Sequence, residues 1–175
     1  MKYLLFVLLI ISTTSCELEL EDLHINKESF ENAILRIDGY YYELNDSSEL
    51  ALRYFLYQDG TSYGWRTPYY SSFGELEDQI ELGNSSGHQN IVLGWGLFNV
   101  IDSSIIIEEY CYGSGGRKKG TALFEGIIFN DTTFKIIEHY RLDDNNEKYD
   151  IIEYNETYHF RKYDNKLDSI NEYIN

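Results

Sequence analysis

Short runs of β-branched and aromatic residues, each closed by a turn signal, recur along this chain from residue 39 to residue 162. They read as strands near 39–44 (GYYYEL), 51–57 (ALRYFLY), 61–67 (TSYGWRT) and 94–100 (GWGLFNV). Four more follow near 104–112 (SIIIEEYCY), 121–129 (TALFEGIIF), 133–142 (TFKIIEHYRL) and 149–162 (YDIIEYNETYHFRK). Residues of these types fit a pleated, half-buried surface, and the rhythm marks an all-β barrel or sandwich. Asp59-Gly60 supplies the positive φ of a tight hairpin, and Asp102-Ser103 and Asn130-Asp131 are of suitable types. Successive hairpins leave little room for crossover helices, so the pairing is antiparallel. About eight strands close an up-and-down β-barrel around a small interior, with a β-sandwich as the alternative. Residues 68–93 are a long insertion, expected to carry a short helix at 74–82 and to lie over one mouth of the barrel.

The first residues have another character. Lys2 gives a positive start, residues 3–11 (YLLFVLLII) are unbroken apolar sequence, and Ser12, Thr13, Thr14 and Ser15 precede Cys16. That is the layout of a secretory signal. The apolar run is too short for a bilayer core of about 30 Å, which takes roughly 20 helical residues.

The junction Ser15-Cys16 resembles the lipobox of bacterial lipoproteins, in which the cysteine is acylated and becomes the mature N-terminus. The resemblance implies removal of residues 1–15 and attachment to a membrane through a lipid on Cys16, each buried methylene contributing about 0.8 kcal/mol. Asp after the cysteine tends to retain such proteins at the inner membrane; Glu17 stands here, so the outer membrane is expected, on its periplasmic or surface side. Residues 16–36, with the acidic run Glu17, Glu19, Glu21 and Asp22, read as a tether. Residues 37–163 read as the barrel domain and 164–175 as a C-terminal tail.

Thirty acidic against fourteen basic side chains give a net charge of -16. Nucleic acid and anionic membrane surfaces are therefore poor partners for the body of the protein. Cys111 is the one cysteine besides Cys16, so lipidation leaves no internal disulfide.

Gly39-Tyr40-Tyr41, the strand-Asp59-Gly60-strand hairpin, the run WGLFNV and the hairpin EGIIFNDTTFKI together resemble lipocalin-type sequences over residues 36–163. The likeness is one of rhythm: the family's opening Gly-x-Trp is here Gly39-Tyr40-Tyr41, its late arginine corresponds to Arg161, and its Thr-Asp-Tyr motif is missing. It implies a barrel that binds a small apolar or amphipathic ligand, with a wider calycin-like or fatty-acid-binding-type barrel also open.

Residue parity then proposes faces. In the hairpin 121–142, one face carries Leu123, Glu125, Ile127, Phe129, Phe134, Ile136, Glu138, Tyr140 and Leu142. The other carries Lys135, His139 and Arg141, so the first is taken as inward, placing Glu125 and Glu138 on an apolar wall where they need a cation or a polar ligand. A one-residue slip in register puts both outside. In the hairpin 51–67, Leu52, Tyr54, Leu56, Tyr63 and Trp65 share a face, and Arg53, Phe55, Tyr57 and Arg66 the other. The Trp65 face is the expected core; the alternative turns Arg53 and Arg66 inward toward an anionic ligand. The candidate ligand-binding residues are thus Tyr54, Trp65, Glu125, Phe129, Phe134, Glu138 and Tyr140.

Other motifs carry less. Adjacent Glu108 and Glu109 point to opposite faces and make no catalytic pair. His24, His88, His139 and His159 lack metal-site spacing, although His139 and His159 fall on neighbouring strands. Residues 143–147 (DDNNE) lack the glycine of a calcium loop and read as a hairpin tip. Residues 113–120 (GSGGRKKG) fail the phosphate-loop spacing. Cys111 falls on one face with Phe98, Val100, Ile105 and Ile107, as a buried thiol. No nucleophile elbow or triad order is present, so an enzyme is not expected, nor any metal or cofactor. The rival to ligand binding is a filled barrel that docks to another envelope protein through its tyrosines.

Overall fold

The computed structural model describes residues 20–31, 34–85, 87, 91–112 and 119–174, the side chain of Lys119 excepted. The expected signal 1–15, Cys16, His88 and the basic run 113–118 lie outside the described residues.

Eight strands follow in order: β1 (Gly39–Leu44), β2 (Leu50–Leu56), β3 (Thr61–Gly64), β4 (Trp95–Ile101), β5 (Ser104–Tyr112), β6 (Lys119–Asn130), β7 (Thr133–Leu142) and β8 (Lys148–Lys162), with helix α1 (Phe73–Ser85) between β3 and β4. Each strand pairs antiparallel with the next, and β8 returns to β1, closing an up-and-down barrel. The sandwich is set aside. Gly39 sits at the closing seam, where a Cβ would lie 2.0 Å from the Arg161 carbonyl oxygen, so only glycine lets β1 and β8 approach. The turn at Asp59-Gly60 forms with Gly60 at φ 84°, and Asp102 takes φ 54° in the next.

Registered neighbours point the same way, which assigns the two faces. Inside lie Tyr41, Tyr54, Leu56, Phe98, Ile105, Ile107, Phe124, Phe134, Ile136 and Tyr158 as one cluster. Rings meet across the interior, Tyr41 with Phe134 at 4.8 Å and Tyr54 with Tyr158 at 5.5 Å. A second apolar layer lies outside the barrel, where Leu76 and Ile80 of α1 and Leu167 and Ile174 of the tail cover Tyr40, Leu52, Phe55, Tyr63 and Trp95. Ser72 caps the helix by accepting the Glu75 N–H at 3.3 Å, and Leu76 and Ile80, one turn apart, give it one buried face. Arg161 then bonds Glu77 at 2.6 Å and stacks on Phe73. The insertion therefore buries its helix against the outer wall of the barrel instead of covering a mouth, because its apolar stripe matches the apolar outer face of β1–β4.

Two single-residue bulges set the sidedness of the walls. Between the pairs Tyr41↔Tyr54 and Tyr42↔Leu52, Arg53 is the extra residue of β2. Between Glu125↔Glu138 and Gly126↔Ile136, Ile137 is the extra residue of β7. Strict alternation fails at both points, with consequences for the site.

The ends of the barrel differ. At the far end, Phe30 packs on Phe98 at 5.3 Å, Leu35 is buried, and Arg36 N–H bonds the Asp131 carbonyl at 2.8 Å. From the opposite rim a strap descends the outer wall. Thr121 N–H bonds Glu21 at 3.2 Å, His24 and Ile25 bond Glu108, and Asn99 bonds the Asn26 carbonyl. Residues 20–31 and 34–36, expected as a tether ahead of the domain, are thus part of the fold.

Candidate functional site

The mouth end holds the one deep polar constellation of the described interior. Arg53, displaced inward by its bulge, donates to the Glu43 carboxylate, which also receives the Tyr69 hydroxyl. Just past the end of β3, Arg66 donates to Glu109 of β5 and lies over the Phe124 ring at 5.3 Å. Glu43 and Glu109 are buried, at 6% and 3% exposure, so each charge depends on its guanidinium. Tyr158 donates to Glu156 at 2.6 Å. Between these groups a half-open cavity of about 280 Å³ is lined by Arg53, Tyr54, Arg66, Phe124, Glu156 and Tyr158, with Thr67 and Tyr154 beside them.

A second hollow of about 510 Å³ lies on the other side of Arg66, against Trp65, Ile91, Glu109, Cys111, Tyr112 and His139. Arg66 lines both. Glu109 also explains Gly64: a Cβ there would lie 2.1 Å from Glu109 Oε2, so the small residue makes room for the carboxylate.

The electrostatics follow from burial and pairing. Burial works against the charge of Glu43, but Arg53 and Tyr69 outweigh it and hold the carboxyl below its ordinary range. Burial raises Glu109, and Arg66 only partly offsets it. Burial pushes the Tyr54 and Tyr158 hydroxyls up, so both stay neutral donors. Burial, then Arg66 and Arg141, lower His139, whose ring stacks on Phe124 at 4.7 Å and whose buried Nδ1 has no hydrogen-bond partner.

The residues singled out from the sequence separate into two groups. Tyr54 and Phe134 face the interior, and Tyr54 lines the cavity. Trp65 faces out, against the last turn of α1, where a Cβ on Gly83 would meet its ring at 2.0 Å. Glu125, Glu138 and Tyr140 also face out: Tyr140 donates to Glu125 at 2.5 Å, Lys148 bonds Glu138 at 2.5 Å and Glu125 at 3.3 Å, and its ammonium sits 3.8 Å from the Tyr140 ring centre. The expected cation is present, on the opposite side of the wall. Phe129 is exposed beside the irregular pairing at Ile128 and Asn130. The bulge at Ile137 accounts for the division within β7, since it lets Phe134 and Ile136 face in while Glu138 and Tyr140 face out.

Arg53 and Arg66 take the inward places that the alternative reading gave them, and Glu43, Glu109 and Glu156 complete a set that alternation did not bring together. A charged residue flanked by Leu52 and Tyr54 in an otherwise apolar strand was the one local hint. Glu108 and Glu109 do face opposite ways. His139 faces in and His159 faces out beside Tyr42 at 5.8 Å, so the two do not meet. Cys111 faces in but is half-buried, 3.5 Å from the Arg141 guanidinium. Asp143 Oδ1 accepts the Asn145 and Glu147 N–H groups at 2.9 Å, capping its own turn. Among the described residues no group of three or more His, Cys, Asp or Glu is placed to hold a metal ion.

Compared with known proteins, the chain matches no family model, no curated protein and no solved structure.

Proposed function

We propose that this chain is a lipocalin-like lipoprotein, held on the outer membrane through Cys16, that binds a small amphipathic molecule in the cup at its mouth. The mouth cavity carries this reading: the hollow of about 490 Å³ beside Phe30 and Phe98 at the far end is lined by Glu28 and Glu31 instead of arginines, whereas at the mouth about 280 Å³ stays open between Arg53, Arg66, Phe124 and Tyr158. That volume is at the lower edge of ligand pockets, roughly 300–1,000 Å³, so a compact molecule fits and a long chain does not. Tyr54, Phe124, Tyr154 and Tyr158 offer aromatic faces to its apolar part. Arg53, Arg66, Thr67 and Glu156 offer donors and acceptors to its head. Both arginines already hold a carboxylate, so an acidic head would share them with Glu43 and Glu109.

Native mass spectrometry of the protein purified from membranes tests this reading. The expected result is an added small mass that Phe124→Ala weakens; an empty protein that takes up none of a panel of amphiphiles overturns it. Labelled fatty acid should mark the wild type and not Cys16→Ser.

The second reading, a docking module for another envelope protein, draws on Ile127, Phe129 and Ile137, exposed on the outer wall of β6 and β7. A co-purified protein lost on Phe129→Ser, with no small-molecule mass, would favour it.

A further inference from the structure

We infer that the mouth of the barrel, not its far end, faces the bilayer, so that the cup opens toward the lipid surface. This orientation rests on the lipid anchor at Cys16 proposed above, and it follows from where the strap is fastened.

Three attachment points fix the strap at increasing depth down the outer wall. Glu21 takes the Thr121 N–H near the start of β6, and its carboxylate also lies 2.9 Å from where a Gly120 Cβ would be. His24 and Ile25 hold Glu108, in the middle of β5. Asn26 takes the Asn99 side chain, toward the end of β4. The chain thus enters at the mouth rim and runs toward the far end, where Phe30 and Leu35 close the barrel.

Reach then decides the orientation. Five residue steps lead from Cys16 to Glu21, and a fully extended chain covers at most about 3.3–3.6 Å per step, so the Cys16 backbone lies within roughly 17 Å of that of Glu21. From Thr121 to Asn130, β6 rises nine steps of about 3.3 Å, near 30 Å along the strand. A strand tilt of about 40° reduces that to roughly 23 Å along the barrel axis. Only a segment stretched straight down the wall would bring the anchor near the far end, so a chain tied at the rim holds the lipid nearer the mouth.

The rim suits a lipid–water interface. Leu20, Leu44, Tyr69, Ile91, Tyr112 and Tyr149 are all exposed at this end, and tyrosine is favoured at head-group depth. Ile91 and Tyr112 also line the larger hollow beside Arg66, so that hollow opens on the same surface. Ile101 and Phe129 are exposed toward the other end, so apolar exposure alone does not choose. Asp46, Glu49, Asp144 and Glu147 lie on two mouth connections and Arg117 and Lys118 fall in the sequence of a third, so the mouth carries both signs and suits a neutral, zwitterionic surface.

The test uses protein purified from membranes and reconstituted in phosphatidylcholine vesicles, with tryptophan reporters at exposed positions that leave the core untouched. Tyr112→Trp and Tyr149→Trp report the mouth, Ile101→Trp and Phe129→Trp the far end, each read as added emission over the wild type. Brominated phosphatidylcholine should quench the mouth reporters at least about twofold more than the far-end reporters. Equal quenching, stronger quenching at the far end, or none at either end on vesicle-bound protein overturns the orientation. Fatty-acid labelling of the same preparation reports on Cys16 separately. If it is negative, the anchor reading has failed, and a maleimide lipid coupled to Cys16 in a Cys111→Ser background supplies the tether for the same comparison.

Discussion

His24 and Glu108 are joined twice: the Glu108 carboxylate accepts the His24 backbone N–H at 2.7 Å and meets its ring Nδ1 at 2.7 Å. Glu108 is fully buried, and the Ile25 N–H, at 2.9 Å, is its third partner. A carboxylate that faces out of the barrel is thus sealed by the strap it holds.

Glu108→Ala should release that strap. Hydrogen bonds to a charged group contribute about 1.5–3 kcal/mol, so a loss near 2–3 kcal/mol is expected in urea unfolding. Amide exchange at His24 and Ile25 should accelerate while the strands keep their protection. Unchanged exchange at those two amides would mean that the strap is held by its apolar contacts, Leu23 and Ile25, alone.

Arg53→Met should be the most damaging single change in the cup. It leaves the Glu43 charge buried without its guanidinium, and breaking a buried pair costs about 3–5 kcal/mol. Arg53→Met with Glu43→Gln should recover most of that loss. A double-mutant cycle by chemical denaturation checks it, and additive losses would show that the pair does not act as a unit.

Glu109 gives the cup a pH signature. Its folded pKa lies above its unfolded value because burial outweighs Arg66. A carboxyl of that kind favours the fold while protonated, below the unfolded value of 4.5, and loses that advantage as pH rises through the folded value. The wild type should therefore lose stability relative to Glu109→Gln as pH climbs above about 4.5. Thermal melts of both proteins across that range decide it; a wild type that gains on the variant would mean Arg66 dominates.

Lys166 acts in the opposite window. Its ammonium is buried at the far end, donating to the Ile37 carbonyl at 2.7 Å and to that of Leu56, above the Tyr57 ring. Burial lowers its pKa from 10.5 to about 8. A base with a lowered folded pKa favours the fold when neutral, and that contribution is lost as pH falls through about 8. Relative to Lys166→Met, the wild type should gain stability between pH 8 and 10.5, by up to roughly 3 kcal/mol. Denaturant midpoints at both ends of that window are the measurement, and parallel curves would place the ammonium in solvent.

The strands were legible in the sequence because a strand announces itself locally. β1, β5 and β7 begin and end where the runs of Tyr and Ile do, and Asp59-Gly60 turns as its φ requires. The helix was legible as well, though its place was not, since its stripe of Leu76 and Ile80 fits any apolar surface of matching width. Opposite faces for Glu108 and Glu109 followed from alternation alone, which holds wherever pairing is regular.

Sidedness across a bulge was left to the tertiary structure. Up to Leu52, parity alone predicts an outward Tyr54, and beyond Arg53 it predicts the reverse; one unpaired residue exchanges the two walls. The same exchange at Ile137 put Phe134 inside and sent Glu138 and Tyr140 out to Lys148. A bulge forms when closing the barrel bends a strand more than a regular ladder permits. That bending is a property of the closed sheet and of no single run of residues. The sequence by itself therefore determined how many strands there are and where they turn, through local propensity and turn chemistry. Only the closed barrel decided which side of the wall each side chain faces, and with it that Arg53, Arg66, Glu43 and Glu109 gather at one mouth.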